Sequence, residues 1–404
     1  MPKDKKSGAL GGICILDMTS VLMGPYATQL LGDFGAEVIK VESPEGDVMR
    51  HAGEMRNPSM GHVFLHANRN KRSIALDLKH PSAKPVMEKL LRKSDVLVFN
   101  LRPRAMANLG LSYEEVASIK PGIIYAGGLG FSTRGRRSER PAYDDMIQSM
   151  SGVPWLMEKA GSNGPRFMPG AFADRFVGLH LALGIMAAIA HKQRTGQGQK
   201  VDVPMYESMV SLVLGEHLGG LSFVPPHGNA GYRRTLSKER RPYSTSDGYI
   251  ALLVYTDRQW RNFFDVIGQQ EKFVSDTRFH SSTSRSKNID AVNEFLKSVM
   301  VERTTDTWME LMEKTDIPVA RVNSIADILE DQHLKDIDFL QHLEHPTEGS
   351  MLGVASPFEL SASPALAHGF APTLGQHTEE ILSQIGYNQE EIDAFFLAGT
   401  VVKK

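Results

Sequence analysis

The chain has 404 residues, 41% hydrophobic and 23% charged, and its 45 Lys+Arg against 47 Asp+Glu leave a net charge of −2. At ~150 residues per domain this allows two or three domains with sizeable cores, and it excludes a global field that would recruit nucleic acid or an anionic membrane. The single cysteine, Cys14, excludes an internal disulfide framework and a cysteine-built zinc site, and fits a reducing cytoplasm. The Lys-rich start, Met1 to Leu10, lacks the apolar core of a secretory signal, and the longest apolar stretch, Leu181 to Ala190, is too short to span a bilayer.

In chain order, Ile13 to Leu16 reads as a strand ending at Asp17. Pro25 suits the first turn of a helix that stops at Gly35, and Val38 to Val41 follows as a strand with Glu42 at its end. Ser73 to Leu78 is the next strand, Ser82 to Lys93 has helical spacing, and Val96 to Phe99 returns to strand. Ser112 with Glu115 forms a capping box that opens a helix to Ile119, before a strand at Ile123 to Ala126. Strands alternating with helices predict parallel βαβ units and a doubly wound α/β domain.

From Ala171 to Thr195 the spacing predicts a long helix whose buried stripe is Phe172, Phe176, Leu179, Leu183, Met186 and Ala190. Gly196 and Gly198 end it, and Lys200 to Val203 resumes a strand. Pro225, Pro226, Gly228 and Gly231 mark a breaker-rich connection, with a basic run at Lys238 to Arg241. A smaller α+β domain is expected from Tyr243 to about Val319, with a strand at Tyr249 to Tyr255 and helices around Trp260 and Trp308. A second long connection past Ile325 carries Pro346, Pro357, Pro364 and Pro372 and leads to a terminal helix at Glu379 to Ile385. The expected division is 1–225, 226–330 and 331–404.

Several constellations invite chemistry. A dinucleotide site asks for G-x-G-x-x-G after the first strand, but Thr19 to Pro25 holds only Gly24, so NAD chemistry is disfavoured. His62 and His66 have zinc-ligand spacing without a third ligand nearby, and Gly130 to Arg134 misses the nucleophile elbow by its last glycine. Asn68-Arg69-Asn70-Lys71-Arg72 reads most simply as a solvated basic loop; with Lys79, Arg102 and Arg104 it would suit a ligand bearing several phosphates. Asp174 falls in the first turn of the long helix. A plain helix-start acid and a carboxylate nucleophile kept ionised by the helix N-terminus fit it equally.

Five segments together resemble family III CoA-transferases, a family that includes formyl-CoA, carnitine and succinyl-CoA:glutarate CoA-transferases and α-methylacyl-CoA racemases. They are Leu16-Asp17 with Gly24-Pro25-Tyr26 and Gly35 to Glu42; Asn70 to Ser73 with Leu76 to Lys79; Pro141 to Asp144 with Ser151-Gly152; Ala173-Asp174 with Gly178 and Thr195 to Gln199; and Leu374 to Thr378. The resemblance implies a Rossmann-like large domain built from both chain ends, an inserted smaller α+β domain, and an interlocked homodimer. It also implies that Asp174 is the catalytic aspartate and that Leu22, Met23, Leu76, Lys79, Asn100, Leu101, Arg102 and Tyr143 lie at or near the CoA. Asn108 stands where many members have an arginine, and Arg104 is a candidate replacement for that charge. No metal and no tightly bound cofactor is implied. The implied partners are an acyl-CoA, a small carboxylic acid and a second copy of the chain, without nucleic acid or membrane.

Racemases of the family carry a histidine before an aspartate as a second base. The match here is Tyr143-Asp144, and a tyrosine with a pKa of ~10 is a poor base at neutral pH, which favours transfer. A racemase and a non-catalytic CoA-binding protein remain the alternatives. The acceptor acid is open. The glycine-rich loop of formyl-CoA transferase has no counterpart beyond His227 to Gly231, which disfavours formate and oxalate. Arg233, Arg234, Arg240 and Arg241 would suit a dicarboxylate or hydroxy acid, although a solvated linker explains them more simply.

Overall fold

β1 (Cys14–Met18), β2 (Glu37–Glu42), β3 (Lys71–Leu76), β4 (Val96–Phe99), β5 (Ile124–Leu129) and β6 (Lys200–Pro204) run parallel in the order β3-β2-β1-β4-β5-β6. The structure, a computed structural model, describes residues 8–365 and 369–403; the start of the Lys-rich segment, residues 1–7, lies outside them. Both faces of β1, β4 and β5 are buried, as a parallel sheet requires when helices cover both sides. On one face Ile15, Val38, Val98 and Ala126 pack against α1 (Met23–Asp33). On the other, Leu16, Ile39, Leu97 and Tyr125 pack against α2 (Ala83–Lys93) and the capped α3 (Tyr113–Ile119). The doubly wound α/β sheet expected from the alternating pattern is present.

Two compact units divide the chain. The first comprises Met1–Ser151, Pro169–Ser211 and His333–Lys404; the second comprises Gly152–Met168 and Leu212–Gln332. The second unit holds an antiparallel sheet of Tyr243–Ser244, Tyr249–Leu252 and Val319–Arg321. Its core is aromatic, with Trp260, Phe263, Phe264, Phe279 and Trp308 buried together.

Four expectations need correction. The basic run at Asn68 to Arg72 is no solvated loop, because carboxylates on neighbouring elements draw it in. Lys71 Nζ, fully buried, lies 3.0 Å from Asp17 Oδ2; Arg69 Nη2 lies 2.6 Å from Asp33 Oδ2, and Arg72 Nη1 lies 2.7 Å from Glu37 Oε1. These cations are committed inside the chain and are not available for phosphates.

The connection past Ile325 is also structured. It contains helices Ile325–Leu329 and Gln332–Asp336 and an antiparallel hairpin, Leu340–His345 with Gly349–Val354. Pro346 sits in the hairpin turn, where a proline breaks no ladder. At the end of the chain the expected helix, Thr378–Gln384, is followed by another at Gln389–Leu397 with an Asn388–Glu391 capping box. Val401–Val402 then adds an antiparallel strand beside β3.

The largest correction concerns the long helix, preceded in the chain by α4 (Asp144–Ser151) and here α5 (Phe172–Thr195). Its inward side carries Ala173, Val177, Gly178, Leu181, Ala182, Ile185, Ala188 and Ile189. The predicted stripe faces away, with Leu179, Leu183 and Met186 exposed. Close approach to α1 selects small side chains: a Cβ on Gly178 would stand 2.7 Å from the Met23 carbonyl oxygen. The whole helix, longer than the Leu181 to Ala190 stretch, is long and apolar enough by length and composition to cross a membrane, yet half of its most apolar window is buried within the chain.

Candidate active site

Doubly wound sheets bind ligands at the carboxyl ends of the strands, where the strand order reverses. Here that point lies between β1 and β4. The turn Thr19–Leu22 leaves β1 and Asn100–Arg102 leaves β4, and between them opens a cavity of about 260 Å3. Its lining includes Ser20, Val21, Met23, Asn100, Leu101, Arg102, Tyr143 and Asp174.

The β1 turn is held in an uncommon conformation. Val21 has φ +69°, in the left-handed region that a β-branched residue avoids. Its backbone N–H donates to Asp47 Oδ1 at 3.1 Å, and Asp47 Oδ2 lies 3.0 Å from Lys40 Nζ. Lys40, fully buried on β2, also donates to the Thr19 carbonyl at 2.7 Å. Asn100 closes the other side, accepting from the Ser20 N–H at 3.1 Å and donating to its carbonyl at 2.8 Å. Beneath the turn, Asp17 accepts from the Thr19 and Thr28 hydroxyls and from Lys71. Burial alone would raise the Asp17 pKa; Lys71 and Lys40 overcome this and hold its carboxyl down at about 2.

Asp174 enters the cavity from the first turn of α5. The residue before the helix, Ala171, has no side chain able to cap it. Asp144, in the first turn of α4, does so instead: its Oδ1 accepts from the Asp174 backbone N–H at 2.9 Å, while its Oδ2 accepts from buried Gln148 Nε2 at 2.7 Å. The expectation that the helix start alone keeps Asp174 ionised does not hold. Burial first, and then the Asp144 charge, push its carboxyl up to about 7 against the opposing pull of Arg175.

Six of the residues singled out from the sequence therefore share one cavity: Met23, Asn100, Leu101, Arg102, Tyr143 and Asp174. Four do not line it. Leu22 is buried just before α1, and Leu76 is fully buried in the sheet core with no surface to offer a ligand. Lys79 is exposed in the turn after β3, and exposed Arg104 donates its backbone N–H to Glu139. Arg102 donates to the Glu139 carbonyl at 3.2 Å. Tyr143 is 66% exposed.

Sequence reasoning missed Asp144 and Gln148 as supports, and Gly128 and Gly130 in the cavity wall. The paired glycines at the end of β5 carried a signal. Added Cβ atoms would stand 2.7 Å from Met23 Cε at Gly128 and 2.5 Å from Ala142 Cβ at Gly130. His62 and His66 are exposed, and among the described residues no group of three or more His, Cys, Asp or Glu is gathered as a metal site would need.

Known proteins resemble the chain along nearly its whole length. A (R)-2-hydroxy-4-methylpentanoate CoA-transferase of Clostridioides difficile is 28% identical over 96% of this chain and 98% of its own. A formyl-CoA:oxalate CoA-transferase of Rhodopseudomonas palustris (strain BisA53) is 31% identical over 95% of each. The crystal structure of a CAIB/BAIF family protein from Brucella suis superposes with a TM-score of 0.79 at 27% identity, covering 94% of this chain and 100% of that one. The sequence model of CoA-transferase family III matches residues 10–378, from the start of β1's approach to the first turn of the helix at Thr378, and this enzyme belongs to that family.

Proposed function

We propose that the enzyme moves CoA from an acyl-CoA donor to a free carboxylic acid through covalent intermediates on Asp174. The observation that carries this reading is a carboxyl group, 9% exposed, at a helix start in a cavity at the switch point of the sheet. A carboxylate oxygen of Asp174 attacks the donor thioester carbonyl, the C–S bond breaks, and CoA leaves as the thiolate. The thiolate attacks the aspartyl carbonyl of the mixed anhydride, which releases the donor acid as its carboxylate and leaves an aspartyl-CoA thioester. The acceptor carboxylate attacks that thioester to form a second anhydride. The freed thiolate then attacks the acceptor's carbonyl, giving the new acyl-CoA and restoring Asp174. No proton is gained or lost over the cycle. Retaining CoA keeps its binding energy available at every step.

In this reading Met23, Leu101, Arg102 and Tyr143 flank the CoA thioester, and Asn100 shapes the turn that faces it. Lys79 and Arg104, exposed, are left to meet the distal phosphates. The first unit is taken as the CoA-binding domain, and the enzyme works as a homodimer in the cytoplasm. The exposed Leu179, Leu183 and Met186 face of α5 supports self-association, since an apolar face of this kind is ordinarily covered.

Asp174→Ala should abolish transfer while CoA still binds in calorimetry. Hydroxylamine added with acyl-CoA should convert Asp174 to a hydroxamate, read by mass spectrometry of the peptide that carries it. Full activity in Asp174→Ala sinks the mechanism. Acceptors are assigned by a panel of short dicarboxylates and 2-hydroxy acids, with oxalate and formate included, using succinyl-CoA and acetyl-CoA as donors.

A further inference from the structure

A cavity of about 560 Å3 opens within the second unit, inside the range of small-molecule sites. Arg234, Arg240, Arg241 and Arg285 all line it, and among the described residues no Asp or Glu does. The rest of the lining is largely apolar, including Leu252, Val254, Val292 and Leu296. Arg285 is itself buried, oriented by the Phe279 carbonyl at 2.7 Å and Asp257 Oδ1 at 2.6 Å. Arg234 lies over the Tyr255 ring at 5.6 Å. Trp260 also lines the cavity, and its indole N–H is buried without an acceptor.

We infer that this cavity binds a carboxylate with a short apolar chain. Arg285 is paired with Asp257 and Arg241 with Glu239 at 3.1 Å, whereas Arg234 and Arg240 form no ion pair with a described carboxylate. That unbalanced positive charge on a cavity without a lining carboxylate favours an anion, and guanidinium forks match carboxylate geometry. The apolar lining favours a chain over a bare ion such as phosphate, because it offers hydrocarbon contact and few further hydrogen bonds. The volume accommodates a six-carbon acid with room to spare. Every lining residue belongs to the second unit, so the site does not depend on the Asp174 chemistry.

The test uses full-length protein saturated with CoA and 6-bromohexanoate as the probe, since bromine quenches a nearby indole. Saturable quenching of Trp260 is expected, and Trp260→Phe should lose the saturable component. The doubly substituted Arg240→Gln/Arg241→Gln protein, altered only at exposed positions, should bind the probe about tenfold more weakly, the loss of a charge-assisted contact. The uncharged 6-bromohexan-1-ol should be weaker by about the same factor. No saturable quenching, equal affinity for the alcohol, or unchanged affinity after loss of both arginines would each overturn the inference. Failure of CoA itself to bind counts against the transferase reading alone, and the titration is then run without it.

Discussion

Asp174 is held by opposing influences, and its titration follows from them. Burial and the Asp144 carboxylate push it up to about 7, so near neutrality a sizeable fraction is the unreactive acid. The kcat/KM for an acyl-CoA donor should rise about tenfold per pH unit below this value and level off above it. Asp144→Asn should move that midpoint down. The same shift bears on stability. Between the unfolded value near 3.8 and about 7 the native state binds more protons than the unfolded chain, so stability falls as pH rises through this window. Asp174→Asn should therefore raise the melting temperature at pH 8, by at most ~4 kcal/mol of stability, and leave it little changed at pH 4. Asp47 is the complementary case. It holds the strained Val21 N–H and pairs with buried Lys40, so Asp47→Ala removes that cation's ion-pair partner and leaves only the more distant influence of Asp17 and Glu42. A loss of about 3–5 kcal/mol in urea unfolding is expected, with impaired transfer in whatever protein folds.

At the scale of elements, α1 and α5 meet at Gly178, and that crossing brings the starts of both helices to one cavity. A methyl group there would press on the Met23 carbonyl, which is backbone and yields only if a helix moves. Gly178→Ala should cost about 1–3 kcal/mol in chemical denaturation. Because Met23 and Asp174 share the lining, turnover should fall more than the stability loss explains when both are measured below the unfolding transition. The capping of α5 shows the same economy of placement. Asp144 satisfies the backbone N–H of Asp174, so the group that anchors the helix also sets the charge beside the Asp174 carboxyl.

For the whole molecule, the proposed homodimer, with its two chains linked through one another, would cover the exposed apolar face of α5 at Leu179, Leu183 and Met186. Linked subunits cannot part without one of them opening, so dissociation should be coupled to unfolding. The dimer mass should persist on dilution to nanomolar concentration, and no folded monomer should appear along a urea titration followed by sedimentation. A folded, reversibly associating monomer would contradict the linkage and leave the Asp174 chemistry standing.

What the sequence by itself determined is what depends on local order. Alternation of strand and helix, the caps at Ser112 and Gly196 and the turns after β1 and β4 specify a doubly wound sheet, and its switch point brings Met23, Asn100 and Asp174 together. Tertiary structure alone decided which side of an all-round apolar helix is buried. Hydrophobic spacing ranked Leu183 above Gly178, while the close approach of α1 at Met23 places Gly178 on the inward side and leaves Leu183 exposed. It also decided the fate of charge. Lys71 and Arg69 read as a solvated run because their partners, Asp17 on β1 and Asp33 at the end of α1, lie far off in sequence and come beside them only in the folded chain. The Asp174 pKa follows the same logic. A helix start argues for an ionised acid, and only the fold supplies the burial and the second carboxylate that outweigh it.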